Sequence, residues 1–266
     1  MSKGALTIKK VGERLTAAGR LRARPLCVYG SEHLPKTAVP MNQVSSCLAR
    51  AVTNIAVYSK LPPIYISADT LEGCCGGGQA WFGFSGFSPY IKYFVSQGAK
   101  EFRNGEAEYL RASPEVAEEN VRKVGKITPP GKYLIIRACA DMQNEEPVRS
   151  VLCFGVGEQI RNLCALVHFR VQDPFYSIIV PQGPSCASFV TYAAGMAEKA
   201  PKDAAIIGPC DPTGNAWFPK DHLSMAIPVD IARRMAEDVE ESFITRRAQV
   251  AYPERRMKIK GRSLLR

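Results

Sequence analysis

Three cysteines lie where the chain is predicted to turn from an extended segment into a helix. Cys74 and Cys75 are followed by three glycines, and Cys186 follows a Gly-Pro-Ser segment. Unpaired backbone N–H groups and the positive end of the helix dipole favour a thiolate at such a position. Small neighbours also let a cluster, a metal ion or an anion come close. These two segments therefore outline a cofactor or ligand site.

Further candidate ligands follow from the expected topology. Cys47 lies in the first turns of a helix predicted over 44–56, and Cys210 follows a predicted strand. Loops after strands of an open α/β sheet gather at one edge of the sheet. Three or four converging thiolates are typical of an iron–sulfur cluster or another soft metal. We therefore predict a cofactor site with Cys47, Cys74 and Cys186 as the first-choice metal ligands. The full set of predicted site residues is Cys47, Cys74, Cys75, Gly76, Gly77, Cys186, Cys210 and Asp211.

Two other interpretations stay open from the residues alone. In the first, the glycines serve a tight turn, the cysteines are small core residues, and the protein is a non-catalytic small-ligand or assembly module. In the second, Cys186 is the nucleophile of a thiol-dependent enzyme. This enzyme needs a base, and His222, which precedes a strand, is a better candidate than His168 in its apolar surroundings.

The elements around these residues indicate the fold class. Strands are predicted at 64–68, 133–138, 148–154, 175–180, 204–207 and 223–227, and helices at 157–168, 186–199 and 229–246. Strands that alternate with helices imply crossover connections. We therefore expect an α/β fold with a mixed, partly parallel sheet and flanking helices in one large domain, 25–246. A polar excursion near 98–132 holds a helix that Ser113 can cap.

Charge is concentrated at the two ends of the chain. The net charge is +10, and residues 1–24 carry seven Lys or Arg against one Glu, while residues 246–266 carry eight against one. We interpret 1–24 as a basic N-terminal arm and 247–266 as a basic C-terminal tail. Such segments call for nearby acidic groups, so we expect a homo-oligomer or an acidic protein partner. Nucleic acid is less favoured because few aromatic residues are interleaved with the basic ones.

Cysteine usage and hydropathy bear on the compartment. Nine cysteines are dispersed over the 266 residues, which argues for free thiols and against a disulfide framework. No apolar run approaches the roughly 18 residues that cross a bilayer, and the N-terminus has no signal-peptide core. We therefore expect a cytoplasmic protein without a membrane segment.

The order of several motifs resembles a known family. These motifs are Cys-x-Ala-Arg at 47–50, Cys-Cys-Gly-Gly at 74–77, the Pro-to-Phe strand 147–154, the segment 173–187 and the Gly-Pro-Cys-Asp-Pro segment 208–212. Over residues 41–245 they resemble the ArCR domain of unknown function, an anaerobe-associated family of archaea and bacteria. The resemblance implies that Cys47, Cys74 and Cys186 occupy the family's cysteine positions. Asn215 departs from it, because the family pattern has Arg there.

Overall fold

A buried apolar strand lies at the centre of the fold. Strand β1 (Leu26–Ser31) is buried along its length except for its last residue. It pairs antiparallel with β4 (Tyr133–Ala138) on one side and with β5 (Val148–Val156) on the other. A strand that is paired on both edges and covered on both faces must be apolar throughout. This explains the uninterrupted Leu26-Cys27-Val28-Tyr29 segment.

The computed structural model describes residues 5–58, 61–70, 75–143, 146–201, 203–211 and 218–246. In these ranges one sheet has eight strands in the order β2-β3-β4-β1-β5-β8-β7-β6. The remaining strands are β2 (Val39–Pro40), β3 (Ile64–Ile66), β6 (Ile178–Ile179), β7 (Ala205–Gly208) and β8 (His222–Pro228). The prediction of a mixed, partly parallel sheet in one α/β domain is confirmed.

The strand order divides the chain into two topologically equivalent halves. Outward from the central β1·β5 pair, the first half continues with β4, β3 and β2, and the second continues with β8, β7 and β6. In each half the outermost pair is parallel, and the other neighbours are antiparallel. Each half therefore has one crossover connection, which carries the chain over the sheet between its two outer strands.

Helices cover both faces of the sheet. The helices are α1 (Ile8–Gly19), α2 (Leu48–Val57), α3 (Gly76–Trp81), α4 (Ile91–Phe94), α5 (Pro114–Val124), α6 (Gly157–Val167), α7 (Val229–Asp238), α8 (Phe243–Arg246) and a π-helix (Ala187–Thr191). Helices α2 and α3 and the π-helix contribute to one apolar core cluster, whereas α1, α6 and α7 contribute to the other. The crossovers of both halves thus lie on the same face.

Helix α1 corrects the interpretation of residues 1–24 as an arm. Its residues Ile8, Val11 and Leu15 are fully buried, and Thr7 caps its first turn. Arg14 donates a hydrogen bond to the carbonyl oxygen of Ala236 at 2.9 Å. The basic residues hide this amphipathic pattern because they occupy the exposed face of the helix. Part of the N-terminal charge is balanced within the chain, while the tail 247–266 lies outside the described residues.

Three predicted elements are shorter than expected. The strand predicted at 175–180 is reduced to Ile178–Ile179, since Tyr176 has a positive φ of 64°. The helix predicted at 186–199 is a π-helix followed by turns. The helix predicted at 229–246 ends at Asp238, whose buried carboxylate pairs with Arg170 at 2.5 Å. The last of these ends involves a contact between residues 68 positions apart, which hydrophobic periodicity does not predict.

The excursion near 98–132 contains the predicted capped helix. The Ser113 hydroxyl accepts a hydrogen bond from the backbone N–H of Val116, and Pro114 occupies the first turn of α5. An ion pair between Lys92 and Glu118 at 3.0 Å joins α4 to α5. Val124 and Ile127 pack against the core cluster that contains α2. The excursion therefore borders the face that carries the two crossovers.

Replacing Gly12 with Ala tests whether α1 is docked on the sheet. Alanine normally stabilises a helix interior by about 1 kcal/mol relative to glycine. A Cβ at Gly12 would lie 2.5 Å from the Cβ of Cys139. We therefore expect Gly12→Ala to lower the free energy of unfolding by about 1–3 kcal/mol in denaturant titrations. Gly157→Ala is the control, since no atom lies within 4 Å of its added Cβ. Equal stability of the two variants would contradict the docking of α1.

Candidate functional site

Cys47 lies at the beginning of the first crossover helix. It occupies the residue before α2, seven residues after the end of β2. Its backbone N–H donates to the Ser45 hydroxyl at 3.1 Å, which fixes the turn that leads into the helix. The apolar residues of α2, such as Leu48 and Val52, are buried against the sheet. The position of Cys47 is therefore set by the docking of this helix.

Cys75 occupies the equivalent position before α3. Its sulfur accepts a hydrogen bond from the backbone N–H of Gly78 at 3.4 Å. Its own N–H donates to the carbonyl oxygen of Ser46 at 3.2 Å, which joins this turn directly to the Cys47 turn. An added Cβ at Gly76 or Gly77 would meet no atom within 4 Å, so the two glycines leave open space. Cys74 lies outside the described residues.

Cys186 precedes the π-helix of the second crossover. Tyr192 donates its N–H to the carbonyl oxygen of Ala187, and Met196 donates to that of Thr191, five residues back in each case. The Thr191 hydroxyl donates to the carbonyl oxygen of Trp81 at 2.5 Å, which ties this helix to the end of α3. A π-helix is rare and is found frequently at functional sites. Its wider turn follows directly on the cysteine.

Gly78 brings the Cys75 and Cys186 sulfurs together. A Cβ built at Gly78 would lie 3.3 Å from the Cys75 sulfur and 3.7 Å from the Cys186 sulfur. Since both distances start at one point, the two sulfurs are at most about 7 Å apart. A side chain at this position would fill the space between them. Gly78, which has no side chain, thus lies between the two thiols.

Electrostatics place Cys47 and Asp211 in the same region. Burial raises the pKa of Cys186 well above its ordinary value, and the charges of Cys75, Cys47 and Asp211 raise it further. For Cys75, which is exposed as a residue, burial of its sulfur raises the pKa and the hydrogen bond from Gly78 lowers it. Cys47, Cys75 and Asp211 are thus close enough to Cys186 to influence the ionisation of its thiol. We name Cys47, Cys75 and Cys186 the thiol cluster.

At Cys186, burial raises the pKa of the thiol, and this effect is larger than the opposite effect of the helix N-terminus. The sequence favours a thiolate there, but the residue is only 7% exposed and the pKa of its thiol is raised. A nucleophile needs the opposite shift. The proposed base, His222, contacts the carboxylate of its neighbour Asp221 at 2.8 Å. These observations do not favour Cys186 and His222 as a catalytic pair.

Cys210 was also predicted as a site residue, but no described contact links it to the thiol cluster. It follows β7 and is half-buried, and burial raises the pKa of its thiol. Neither Gly78 nor the charges acting on Cys186 connect it to the other sulfurs. Its neighbour Asp211, in contrast, is 8% exposed and acts on Cys186. Of this adjacent pair, Asp211 is thus the residue associated with the cluster.

A narrow apolar cavity adjoins the thiol cluster. It has a volume of about 10 Å³, which is room for about one water molecule, and is lined by Leu48, Ile66, Cys75, Gly78 and Phe82, among others. Arg103 adds a positive charge that lowers the pKa of Cys75, and its guanidinium lies 5.2 Å from the centre of the Phe94 ring. Sequence analysis did not identify Arg103, because the excursion that carries it is distant along the chain.

Sequence analysis also missed a short repeat. Gln43 and Gln182 lie four residues before Cys47 and Cys186, and each cysteine follows a serine, which gives Gln-x-x-Ser-Cys in both crossovers. Both cysteines stand seven residues after an edge strand, β2 in one half and β6 in the other. The structural counterpart of Cys186 is therefore Cys47, and not the Cys74-Cys75 turn. The repeated Gln-x-x-Ser-Cys motif is the sequence signal that indicates the equivalence of Cys47 and Cys186.

Two features of the described ranges concern metal binding and membrane insertion. Within the described ranges, no group of three or more His, Cys, Asp or Glu side chains is arranged to hold a single metal ion. In the same ranges, no helix combines the length and the apolar character needed to cross a bilayer.

Comparison with known proteins gives one family. The sequence model of a family described as Uncharacterised ArCR matches residues 14–238, which include the whole thiol cluster. No match was found among curated proteins or among solved structures.

Alkylation rates test the environment of the cluster. In a Cys74→Ser background, iodoacetamide at about pH 7.5 should modify Cys75 before Cys186, because Cys75 is exposed and Cys186 is not. Since the pKa of Cys75 is raised above 9.0, its rate should rise roughly tenfold per pH unit up to that value. Peptide mass spectrometry gives both rates, and unfolded protein is the reference. Faster labelling of Cys186 than of Cys75 in the folded protein would contradict this environment.

Proposed function

We propose that this chain, which belongs to the Uncharacterised ArCR family, binds an iron–sulfur cluster or another soft-metal cofactor through Cys47, Cys75 and Cys186. Cys74 and Cys210 are further candidate ligands from the sequence. The role that follows is redox or cofactor handling, because such a cofactor supplies electron transfer when bound. The expectation of a cytoplasmic protein belongs to the same proposal.

The observation that carries the proposal is the convergence of thiols from separate segments. Cys47, Cys75 and Cys186 begin three different helices, and they are distant in sequence. The hydrogen bond from Cys75 to Ser46 and the shared contact with Gly78 hold the three turns together. Sulfur donors select soft metals. Core packing alone gives no reason for three thiols to meet at helix starts.

The limit on the distance between the Cys75 and Cys186 sulfurs allows either a single soft metal ion or a cluster. Zinc–sulfur bonds of about 2.3 Å place the sulfurs of one tetrahedral site about 4 Å apart. The separation of up to about 7 Å between the two sulfurs allows this spacing and also the wider spacing of ligands on a larger cluster core.

The ionisation of the thiols is compatible with metal binding. Cys75 and Cys186 have raised pKa values and stay protonated near neutral pH. Metal binding displaces these protons, so the affinity for the cofactor should increase with pH. The positive charge of Arg103 beside Cys75 would favour a site whose bound thiolates carry net negative charge.

A second candidate function is a non-catalytic module with structural thiols. The 7% exposure of Cys186 and its place in the core cluster with Phe189 and Val190 favour it. In this case the three thiols only pack the core and bind no metal. Metal content separates the two candidates.

Anaerobic reconstitution with ferrous iron and sulfide tests the cofactor proposal. We expect the full chain to bind iron and to show visible thiolate-to-iron absorbance. Cys186→Ala should reduce bound iron at least about tenfold, because one ligand is lost. Cys164→Ser is the matched control, since Cys164 is a half-buried thiol of α6, on the other face of the sheet.

Cys186→Ser distinguishes a ligand from a packing residue only when bound iron is measured together with stability, because the loss of a ligand lowers the iron content. Burying its hydroxyl costs about 1–3 kcal/mol in either case, so stability alone does not decide. A stable, colourless wild-type protein that retains no iron in elemental analysis would reject the cofactor proposal and leave the structural module. Cys74→Ser, beside Cys75→Ser, shows which member of the adjacent pair is needed.

The basic C-terminal segment supports a proposal about partners. Residues 247–266 contain seven Lys or Arg against one Glu. We propose that they contact acidic groups of a second copy of the chain or of an acidic protein. Deleting them should shift the particle toward the monomer in light scattering at low salt, and added salt should weaken the intact assembly.

An unchanged mass after this deletion would contradict the self-association. The segment would then be tested for salt-dependent binding to nucleic acid, whose affinity falls steeply with ionic strength.

A further inference from the structure

A second cavity lies on the opposite face of the sheet from the thiol cluster. It is an open groove of about 430 Å³ between the start of α1, the segment before β3 and the segment after β4. We name it the Lys9 groove. Its charged lining residues are Lys9, Arg137 and Asp141, and its apolar wall is formed by Leu61, Pro62 and Pro63, among others.

The charges of the Lys9 groove are not balanced within the described chain. The Asp141 carboxylate already pairs with Arg24 at 3.2 Å, and Arg24 is itself held by the carbonyl oxygen of Ile55 at 2.7 Å. Lys9 and Arg137 make no ion pair within 4.0 Å with a described carboxylate. The carboxylate of Glu13, on the same helix as Lys9, forms an ion pair with Lys10 at 3.0 Å. The groove therefore presents two cations to whatever enters it.

A hydrogen bond holds the guanidinium of Arg137 in place, and further N–H donors of this group remain for a ligand. One terminal nitrogen donates to the carbonyl oxygen of Asp141 at 2.7 Å. Its Nε is buried, so its terminal nitrogens are the ones that a ligand in the groove can reach. The Arg137 charge also lies beside the buried Tyr29, where burial raises the pKa of the phenol and Arg137 lowers it. A half-buried guanidinium with unused N–H groups is suited to a planar anionic acceptor.

The wall beside these cations is apolar and rigid. Pro62 and Pro63 fix the backbone before β3, and the carbonyl oxygen of Pro63 accepts a hydrogen bond from Val39 at 2.9 Å. Two cations next to an apolar wall match a molecule with a charged end and an apolar body.

We propose that the Lys9 groove binds a small organic carboxylate. Its carboxylate contacts Lys9 and Arg137, and its hydrocarbon part lies along Leu61, Pro62 and Pro63. This site is separate from the thiol cluster and does not depend on the function proposed above.

Titration of the isotope-labelled full chain by NMR tests this proposal. The probes are hexanoate, its uncharged analogue hexanamide and inorganic phosphate, each up to about 10 mM. We expect hexanoate to shift the backbone signals of residues 140–143 and of Lys9, and hexanamide to shift them at least about fivefold less. Lys9→Gln should weaken hexanoate binding at least about fivefold. Lys10→Gln is the matched control, because Lys10 is the adjacent lysine of α1 and pairs with Glu13.

Three results would overturn the proposal. The first is that hexanoate produces no shifts at these residues. The second is that the groove binds hexanamide as well as hexanoate, which would show that the charge of the ligand does not matter. Lys10→Gln weakening hexanoate binding as much as Lys9→Gln would count in the same way against a specific role of Lys9. The third is that phosphate shifts these signals and hexanoate does not, because the groove would then select an inorganic anion. Both lysine variants replace side chains exposed on α1, so neither is expected to disturb the fold.

Discussion

The antiparallel pairing of β1 with β5 is the contact on which the rest of the molecule depends. Leu26 and Val28 of β1 and Leu152 of β5 belong to the core cluster on one face of the sheet, while Cys27 and Val151 belong to the cluster on the other. Apolar residues on both faces require helices on both faces. Because the strands of each half follow outward in equivalent order, the two outer parallel pairs lie at opposite edges of one sheet. Their crossovers meet over its centre and share one core.

This arrangement makes the thiol cluster a joint product of the two halves. Cys47 and Cys75 come from the first half and Cys186 from the second, so no half contains the whole set. The hydrogen bond from Thr191 to Trp81 and the edge-to-face contact of Trp81 with Tyr192, at 5.8 Å between ring centres, cross the same boundary. A ligand held by all three sulfurs would bind only the folded chain and would stabilise it by mass action. Packing between the crossovers and ligand binding would therefore support each other.

Local patterns predicted the elements whose determinants are local. The apolar run at 133–138 gives β4, and Ser113 with Pro114 gives the start of α5. The turns that carry Cys47, Cys75 and Cys186 were also identifiable, because glycine, proline and serine mark them. The pairing of strands was not, since antiparallel and parallel neighbours have the same local pattern when both faces are buried. Helix α1 was hidden by its basic exposed face, and the π-helix depends on a contact between Thr191 and Trp81, 110 residues apart. The burial of Cys186 is likewise a tertiary effect.

The competition between burial and the helix N-terminus determines what the thiol cluster can do. A helix N-terminus favours a nearby negative charge by about 0.3–1 kcal/mol at an exposed site. Burial acts more strongly, as Cys153 shows: burial alone raises its pKa from 9.0 to about 12, which corresponds to about 4 kcal/mol. Cys186 is subject to the same desolvation, and the neighbouring Cys75, Cys47 and Asp211 add to it. Backbone dipoles alone therefore leave its thiol protonated. A positively charged cofactor offsets both the desolvation of the thiolates and the repulsion between the negative charges, because it neutralises the thiolates and replaces their lost hydration. For this reason the geometry is better suited to a cationic cofactor than to an unassisted nucleophile.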